Sequence, residues 1–356
     1  MELGLYTFAD VGTDPVTGHS VGPAERLRNL VEEIELADQL GLDFFGLGEH
    51  HRPDYAASAP AVALAAAALR TKNIRLSSAV SVLSSDDPIR VFQQFATLDN
   101  LSQGRAEIMA GRGSFVESFP LFGYELSDYD TLFAEKLEML IALNEGEFFS
   151  WPGGKHTPKV DARGVYPRPF QDKLPLWIAV GGTPQSVARA AMLGLPLALA
   201  IIGGEPHRFA PLFKLYREAA VKFGRDPAAL KTSINVHGFV AETSQEAIDT
   251  AYPPHSDVMN RIGRERGWGP SSKAQFEASA GKLGANFAGS PAEVTDKILA
   301  NYEIFGFDRF VIQMAIGVMD HSKLMKAIEL FGTKVAPEVR KATSRETETQ
   351  PVPADA

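Results

Sequence analysis

The stretch QLGLDFFGLGEHHRPDYAASAP, residues 39–60, decides how the rest of the chain is read. It begins with the end of a helical pattern, stops at Gly41, runs through the apolar residues 44–48, and then sets Glu49, His50 and His51 in succession. A short apolar run without alternation fits a strand covered on both faces. Glycine after the helix tolerates the left-handed backbone that ends it and lets the chain turn into the strand. The same order of helix, glycine and strand recurs in NLSQGRAEIM, MLGLPLALA and IFGFDRFVI.

Eight apolar segments can be placed, over residues 3–8, 44–48, 74–83, 106–110, 174–180, 195–202, 233–241 and 307–316. Helical patterns lie among them, over residues 24–40, 61–69, 89–102, 132–143, 184–193, 209–223 and 291–305. Strands separated by helices, with no second block of different composition, predict an α/β fold: one (β/α)₈ TIM barrel over residues 1–340. Such barrels need about 250 residues before insertions. The surplus falls to two long connections, residues 111–173 after the fourth strand and 242–306 after the seventh, the latter including the segment 252–272. Long loops in a compact domain are usually lids or disordered segments. Residues 341–356, ending in SRETETQPVPADA, are polar and expected to be disordered.

Composition narrows the chemistry. Of 356 residues 45% are hydrophobic, ample for a packed core. Lys and Arg number 35 against 44 Asp and Glu, and a net charge of −9 opposes binding to nucleic acid or anionic membranes. The absence of cysteine excludes disulfides, thiolate metal sites and cysteine nucleophiles. No apolar run reaches the roughly 20 residues that span a bilayer, and MELGLYTFADVG lacks the pattern of a secretion signal, so a cytoplasmic location is expected.

In a barrel of this kind the active site lies at the C-terminal ends of the strands. Glu49, His50 and His51 fall at that end of the second strand, Ser77, Ser78 and Ser81 in the third, Arg112 after the fourth, and Gly181, Gly182 and Thr183 after the fifth. Adjacent histidines on an extended chain point to opposite faces, and no HExxH pattern is present, so no metal site is expected. Neither a dinucleotide glycine fingerprint, nor a phosphate-binding loop with GK[ST], nor a G-x-S-x-G elbow occurs. An anion site does remain. In VGGTPQSVARAAMLG two glycines precede Thr183, a good helix cap, and Pro184 suits the first turn; the helix start and Arg112 together would hold a phosphate.

At these positions the sequence resembles the bacterial luciferase-like flavin-dependent oxidoreductases. The resemblance runs from Leu3 to about Val339 and is carried by LGEHHR, by SSAVSVLSSDDPIRVFQQFATLDNLSQGR, by the AGRG that follows, by LPLWIAVGGTPQSVARAAMLG and by FAGSPAEVTDKI. It implies a barrel that holds FMN, with the phosphate near Arg112, Gly181, Gly182 and Thr183 and the ring over the third and fourth strands. It also implies a cis peptide in the third strand, mapping onto Ala79 and Val80. Glu49 and His50 match the acidic residue and the histidine beside the flavin. His50, with an ordinary imidazole pKa near 6.5, is a candidate for proton handling at the reacting flavin carbon, while Glu49 would hold the ring or the strand end and His51 would lie behind them. Where bacterial luciferase has cysteine before the arginine this chain has Gly111, so light emission and aldehyde use are not implied.

The function expected is a flavin-dependent monooxygenase that takes reduced FMN from a separate flavin reductase, O₂, and a small organic substrate. Three alternatives stand beside it: an oxidoreductase of the same fold using the deazaflavin F420, a catalytically silent flavin-binding protein, and a metal-dependent hydrolase. A homodimer is also expected, through the small-residue helix PAVALAAAALR and the helix IRVFQQFATLDNL, which carries Phe92, Phe95 and Leu98 on nearly one face.

Overall fold

Eight parallel strands pair in a ring: β1 Glu2–Thr7, β2 Phe44–Leu47, β3 Arg75–Ser78 continued by Ser81–Val82, β4 Ala106–Gly111, β5 Leu176–Val180, β6 Leu197–Ala200, β7 Thr232–Val240 and β8 Arg309–Gln313. Each pairs with the next in sequence, and Glu2 opposite Arg309 closes β1 onto β8, so the computed structural model is a complete (β/α)₈ barrel. It describes residues 1–113 and 115–349. Glycine is required where strands crowd: a Cβ on Gly46 would lie 2.6 Å from the Cβ of Ala79 in the neighbouring strand.

The glycines that end the helices behave as the repeat requires. Gly41, Gly104, Gly194 and Gly306 have φ of +71°, +91°, +71° and +58°. Around the barrel run α1 Pro23–Gln39, α2 Pro60–Ala68, α3 Pro88–Ser102, α4 Tyr129–Glu145, α5 Pro184–Leu193 and α6 Ala210–Lys222.

The connection after β4 holds α4 and the hairpin Phe148–Trp151 with Val160–Gly164. The connection after β7 is largely helical, and the expected loop over residues 252–272 is corrected. Ser244–Arg266, α7, is a single 23-residue helix that carries Pro253 and Pro254 inside it, followed by α8 Lys273–Ala280. Its buried residues Ala247, Ala251, Pro254, Val258 and Ile262 recur at helical spacing, so burial of that stripe outweighs the usual cost of interior proline. Thr243 caps its start and Gly267, at φ +73°, its end. A short strand, Asn286–Gly289, then pairs with the upper half of β7 before α9 Pro291–Phe305.

Beyond β8 the chain forms α10 His321–Leu330 and α11 Ala336–Thr349. This last helix runs through Thr349, with Thr343 buried in it. Residues 350–356 lie outside the described residues. One basis of the expected dimer is also removed, because Phe92, Phe95 and Leu98 are all buried against the barrel of their own chain. On α2, by contrast, Val62 and Leu69 are 69% and 73% exposed. Among the described residues, no helix is long and apolar enough to cross a membrane.

Candidate active site

Tyr6, Met109, Trp177 and Val311 fill the barrel interior at mid-height. Above this floor, at the C-terminal ends of the strands, lies a cavity of about 380 Å³. Glu49, His50, Ala79, Val80, Arg112, Gly181 and Thr183 all line it, so four consecutive strands, β2 to β5, bring distant residues to one cavity. Gly182, at φ +110°, is not on the lining. Nor are Ser77, Ser78 and Ser81, which are buried in the barrel wall. The Ser78 hydroxyl donates to the Met109 carbonyl at 3.1 Å and accepts from the Met109 N–H at 3.2 Å. It bridges β3 and β4 where their regular pairing is interrupted, between Ser77 and Ser81.

The interruption holds the cis peptide, which joins Ala79 to Val80. Val80 turns its side chain toward β4, and a Cβ on Gly111 would come within 2.7 Å of it, so glycine at 111 is what admits Val80. Glu49 fastens this turn from the next strand. Its N–H donates to the Val80 carbonyl at 3.1 Å, and its Oε2 accepts from the Val82 N–H at 2.9 Å. Its other oxygen, Oε1, lies 2.8 Å from His51 Nε2. Both oxygens of this buried carboxylate are engaged by the protein, which makes Glu49 a strut of the site with His51 behind it.

His50 is placed differently. Its N–H donates to the Ala57 carbonyl at 2.9 Å, and its ring sits among Phe8, Tyr55 and Phe115, with centroids at 4.5, 4.4 and 5.2 Å. Among the described residues, Nε2 is buried without a hydrogen-bond partner. Burial, with lesser repulsion from His51 and Arg52, pushes the imidazole down to about 3. The ordinary value near 6.5 expected from sequence is therefore corrected: among aromatic rings the charged form loses its hydration, and His50 is neutral at neutral pH.

Across the mouth, Arg112 reaches from the end of β4 to the start of α5. Its Nη1 donates to Asp130 at 2.6 Å and its Nη2 to the Ser186 hydroxyl at 3.0 Å, while the guanidinium lies 5.2 Å from the Tyr129 ring. Thr183 occupies the cap position but its side chain makes no capping hydrogen bond. The hydroxyl sequence reasoning expected to close the helix is left at the cavity wall, beside the positive end of the helix.

A strap of charge closes the side above His50. Arg52 donates to Asp54 at 3.1 Å, to Glu117 after β4, and to Glu265 of α7 at 2.5 and 2.9 Å. Beside it Phe115 packs with Val258, Met259, Ile262 and Ile316. Sequence reasoning missed Ser186, Tyr129, Asn235 and His237, all at or beside the cavity. Ser186 stands three residues after the cap, and Asn235 and His237 alternate in the apolar run SINVHGFV, the period of one strand face; both signals were present. Tyr129 arrives from an insertion and had none.

The arrangement joins on one cavity a guanidinium beside the start of α5, Arg112 against Ser186, and an aromatic box around His50, above a floor of Tyr6, Met109, Trp177 and Val311. The family described as luciferase-like monooxygenase matches residues 1–309. The 4-hydroxyprotoasukamycin monooxygenase of Streptomyces nodosus subsp. asukaensis is 26% identical over 325 residues, 87% of this chain and 86% of its own. Among solved structures, monooxygenase RslO1 from Streptomyces bottropensis superposes with a TM-score of 0.80 at 24% identity, covering 95% of this chain and 99% of its own. The oxygenating constituent of 3,6-diketocamphane monooxygenase of Pseudomonas putida, in complex with FMN, gives 0.73 at 19% identity, over 95% and 99% of the two chains. The F420-dependent tetrahydromethanopterin reductase of Methanopyrus kandleri gives 0.70 at 20%, with the same coverage. By its sequence and its barrel, the chain belongs to the family of luciferase-like monooxygenases.

Proposed function

We propose that this protein is a flavin-dependent monooxygenase that receives reduced FMN from a separate reductase and uses O₂ to oxidise a small organic substrate. The observation that carries the reading is the pairing of an Arg112–Ser186 anion site at one end of the cavity with the unpartnered, buried Nε2 of His50 at the other. The volume of about 380 Å³ falls within the range of roughly 300–1,000 Å³ usual for such pockets. When bound and reduced, FMN would supply the electrons that activate O₂.

The chain's own residues would then have distinct parts. Arg112 and Ser186, with Gly181 and Thr183 at the start of α5, would hold the phosphate, which would displace Asp130 from the guanidinium. Ala79, Val80 and Gly111 would form the seat of the ring. Glu49, held by Val82 and His51, would keep the turn in shape. His50, being neutral, would act through Nε2 as a hydrogen-bond donor or as a base that takes up and returns a proton, in a pocket whose aromatic walls exclude water.

Relatives on both sides make the cofactor testable, because one solved neighbour carries FMN and another depends on F420. Arg112 is the one arginine or lysine on the cavity lining among the described residues, which suits a cofactor ending in a single phosphate better than the longer anionic tail of F420. Absorbance titration with FMN and with F420, followed by reduction and re-aeration, decides it. FMN should bind and its reduced form reoxidise in air. Binding of F420 alone would replace the monooxygenase reading with hydride transfer. A homodimer through α2, where Val62 and Leu69 are exposed, belongs to the same proposal; light scattering that gives a monomer mass for the parent, or no change for Leu69→Asp, would remove it.

A further inference from the structure

The charges of the cavity are already spent on the protein. Glu49 and Arg112 are the charged residues of its lining among the described residues; the first is tied to His51 and the Val82 N–H, the second to Asp130 and Ser186. The apolar part of the lining includes Phe8, Met109, Ala200 and Ile202, with Phe8 and Phe115 against the His50 imidazole. Two polar side chains interrupt it from β7. Asn235, on the lining, has its Oδ1 engaged by the Ser233 hydroxyl at 3.1 Å, which leaves its amide N–H groups to donate. His237 stands two residues on, on the same face of the strand, its ring edge-on to His255 at 6.2 Å. Burial pushes the His237 imidazole down to about 3, as it does that of His50, so both are uncharged at neutral pH.

We infer that the substrate of this site is an uncharged, largely hydrocarbon molecule with one hydrogen-bond acceptor, and that the Asn235 amide and the His237 ring on β7 recognise that acceptor. The inference rests on the flavin reading above and adds the substrate class. An ionised head group entering this wall would give up its hydration without meeting a counter-ion, whereas a carbonyl, ether or thioether oxygen or sulfur needs only a neutral donor. Selectivity then comes from rejection of charge as much as from attraction of the acceptor.

The test uses three probes with one chain length and different heads: octan-2-one, octanoate and octylammonium. Each is titrated against the FMN-loaded protein, read by the flavin absorbance, and against the flavin-free protein, read by calorimetry. On the FMN-loaded protein, where the phosphate occupies Arg112, octan-2-one should bind at least tenfold more tightly than either ion; on the flavin-free protein it should outbind octylammonium. Asn235→Asp, which keeps the shape and adds a carboxylate, should reverse the order in favour of octylammonium while FMN affinity stays within threefold. His237→Phe should weaken octan-2-one several-fold and leave the two ions as they were. Octanoate or octylammonium equal to the ketone in the FMN-loaded parent, no binding of any probe, or an unchanged order in Asn235→Asp would overturn the inference. A tenfold loss of FMN affinity in Asn235→Asp would overturn the assignment of Asn235 by placing it on the flavin. If neither FMN nor F420 binds the parent, the flavin reading fails and Arg112 is open to octanoate, and the order of octan-2-one over octylammonium on the flavin-free protein then decides the substrate class.

Discussion

At the N-terminal end of the barrel Arg309 lies between the rings of Phe44 and Trp177, 4.4 and 4.3 Å from their centroids, and donates to both oxygens of Glu107 at 2.6 and 3.1 Å and to Glu2 at 2.6 Å. At the C-terminal end His50 lies among Phe8, Tyr55 and Phe115, and its Nε2 has no partner. Both are cationic residue types boxed in by aromatic rings, yet their protonation is opposite. Burial alone would lower the Arg309 pKa, but Glu107 and Glu2 outweigh it and hold the charge. No such partner faces His50, so burial wins and the ring is neutral. The difference teaches where each end puts its polar capacity: below, hydrogen bonds are completed within the protein; above, one is left for a ligand.

If that is right, damage to the lower end should appear as lost stability and damage to the upper end as lost function. Removing one member of a buried pair strands the other and typically costs about 3–5 kcal/mol. Arg309→Leu is expected to lower the unfolding free energy by about that amount in urea denaturation followed by circular dichroism. The folded fraction should keep its FMN affinity. Adding Glu107→Met should recover most of the loss, because the stranded carboxylate is then gone. A loss below about 1 kcal/mol for Arg309→Leu would erase the contrast between the two ends.

The upper end is probed first at His50. His50→Phe keeps an aromatic ring in the box and removes the unpartnered nitrogen, so stability should hold or rise. The oxygen-dependent steps should slow by about a hundredfold, the usual reach of a positioned acid or base. Stopped-flow absorbance after mixing reduced, FMN-loaded protein with aerated buffer reads this, and His50→Ala separates loss of the imidazole from the added bulk. Unchanged kinetics in both variants would reduce His50 to packing.

The barrel and its upper end were legible in sequence for a shared reason: they are written in short-range signals. Helix–glycine–strand units mark the turns, and the EHH and GGTP segments stand at strand ends. What sequence could not show depended on burial from outside the segment. Pro253 and Pro254 argue locally for a loop, and only the packing of Ala247 and Ala251 on the main core and of Val258 and Ile262 on Phe115 and Ile316 makes that stretch a helix. The neutral state of His50 is set by Phe8 and Phe115, 42 residues before it and 65 after. The Glu107–Arg309 pair, 202 residues apart, had no local signal at all.

The anion end offers a subtler division. Arg112→Ala should weaken FMN by about 1.5–3 kcal/mol, the range for a hydrogen bond to a charged group, with riboflavin unaffected. Thr183→Ala should cost less, and it should not loosen α5, because the Thr183 hydroxyl makes no cap there. Isothermal titration with both flavins separates these outcomes. FMN binding unaltered in Arg112→Ala would move the phosphate away from β4.

The smallest expected effect tests the contrast through pH. Burial pushes His50 and His237 down to about 3, and His255 on α7 down to about 4, whereas in the unfolded chain histidine titrates near 6.5. Between those values the unfolded chain binds protons that the folded one does not, so stability falls as pH drops below about 6.5, by up to roughly 1.4 kcal/mol per pH unit for each group. Asp10 works in the opposite sense. Burial pushes its carboxyl up to about 6, so its contribution is lost as pH rises through that value, and it partly masks the histidines between about 4 and 6. His255 is the cleanest reporter, since it packs edge-on to Phe276 and does not line the cavity. His255→Phe should flatten the fall in stability between pH 6.5 and 4.5 by about one proton, or at most roughly 1.4 kcal/mol per unit. Arg309→Leu combined with Glu107→Met, which leaves no stranded carboxylate inside the barrel, should keep the parent's slope in this window. Urea midpoints at several pH values give both slopes. A variant slope for His255→Phe equal to that of the parent would mean that the ring is protonated in the folded protein, and that the upper end supplies its buried histidines with partners after all.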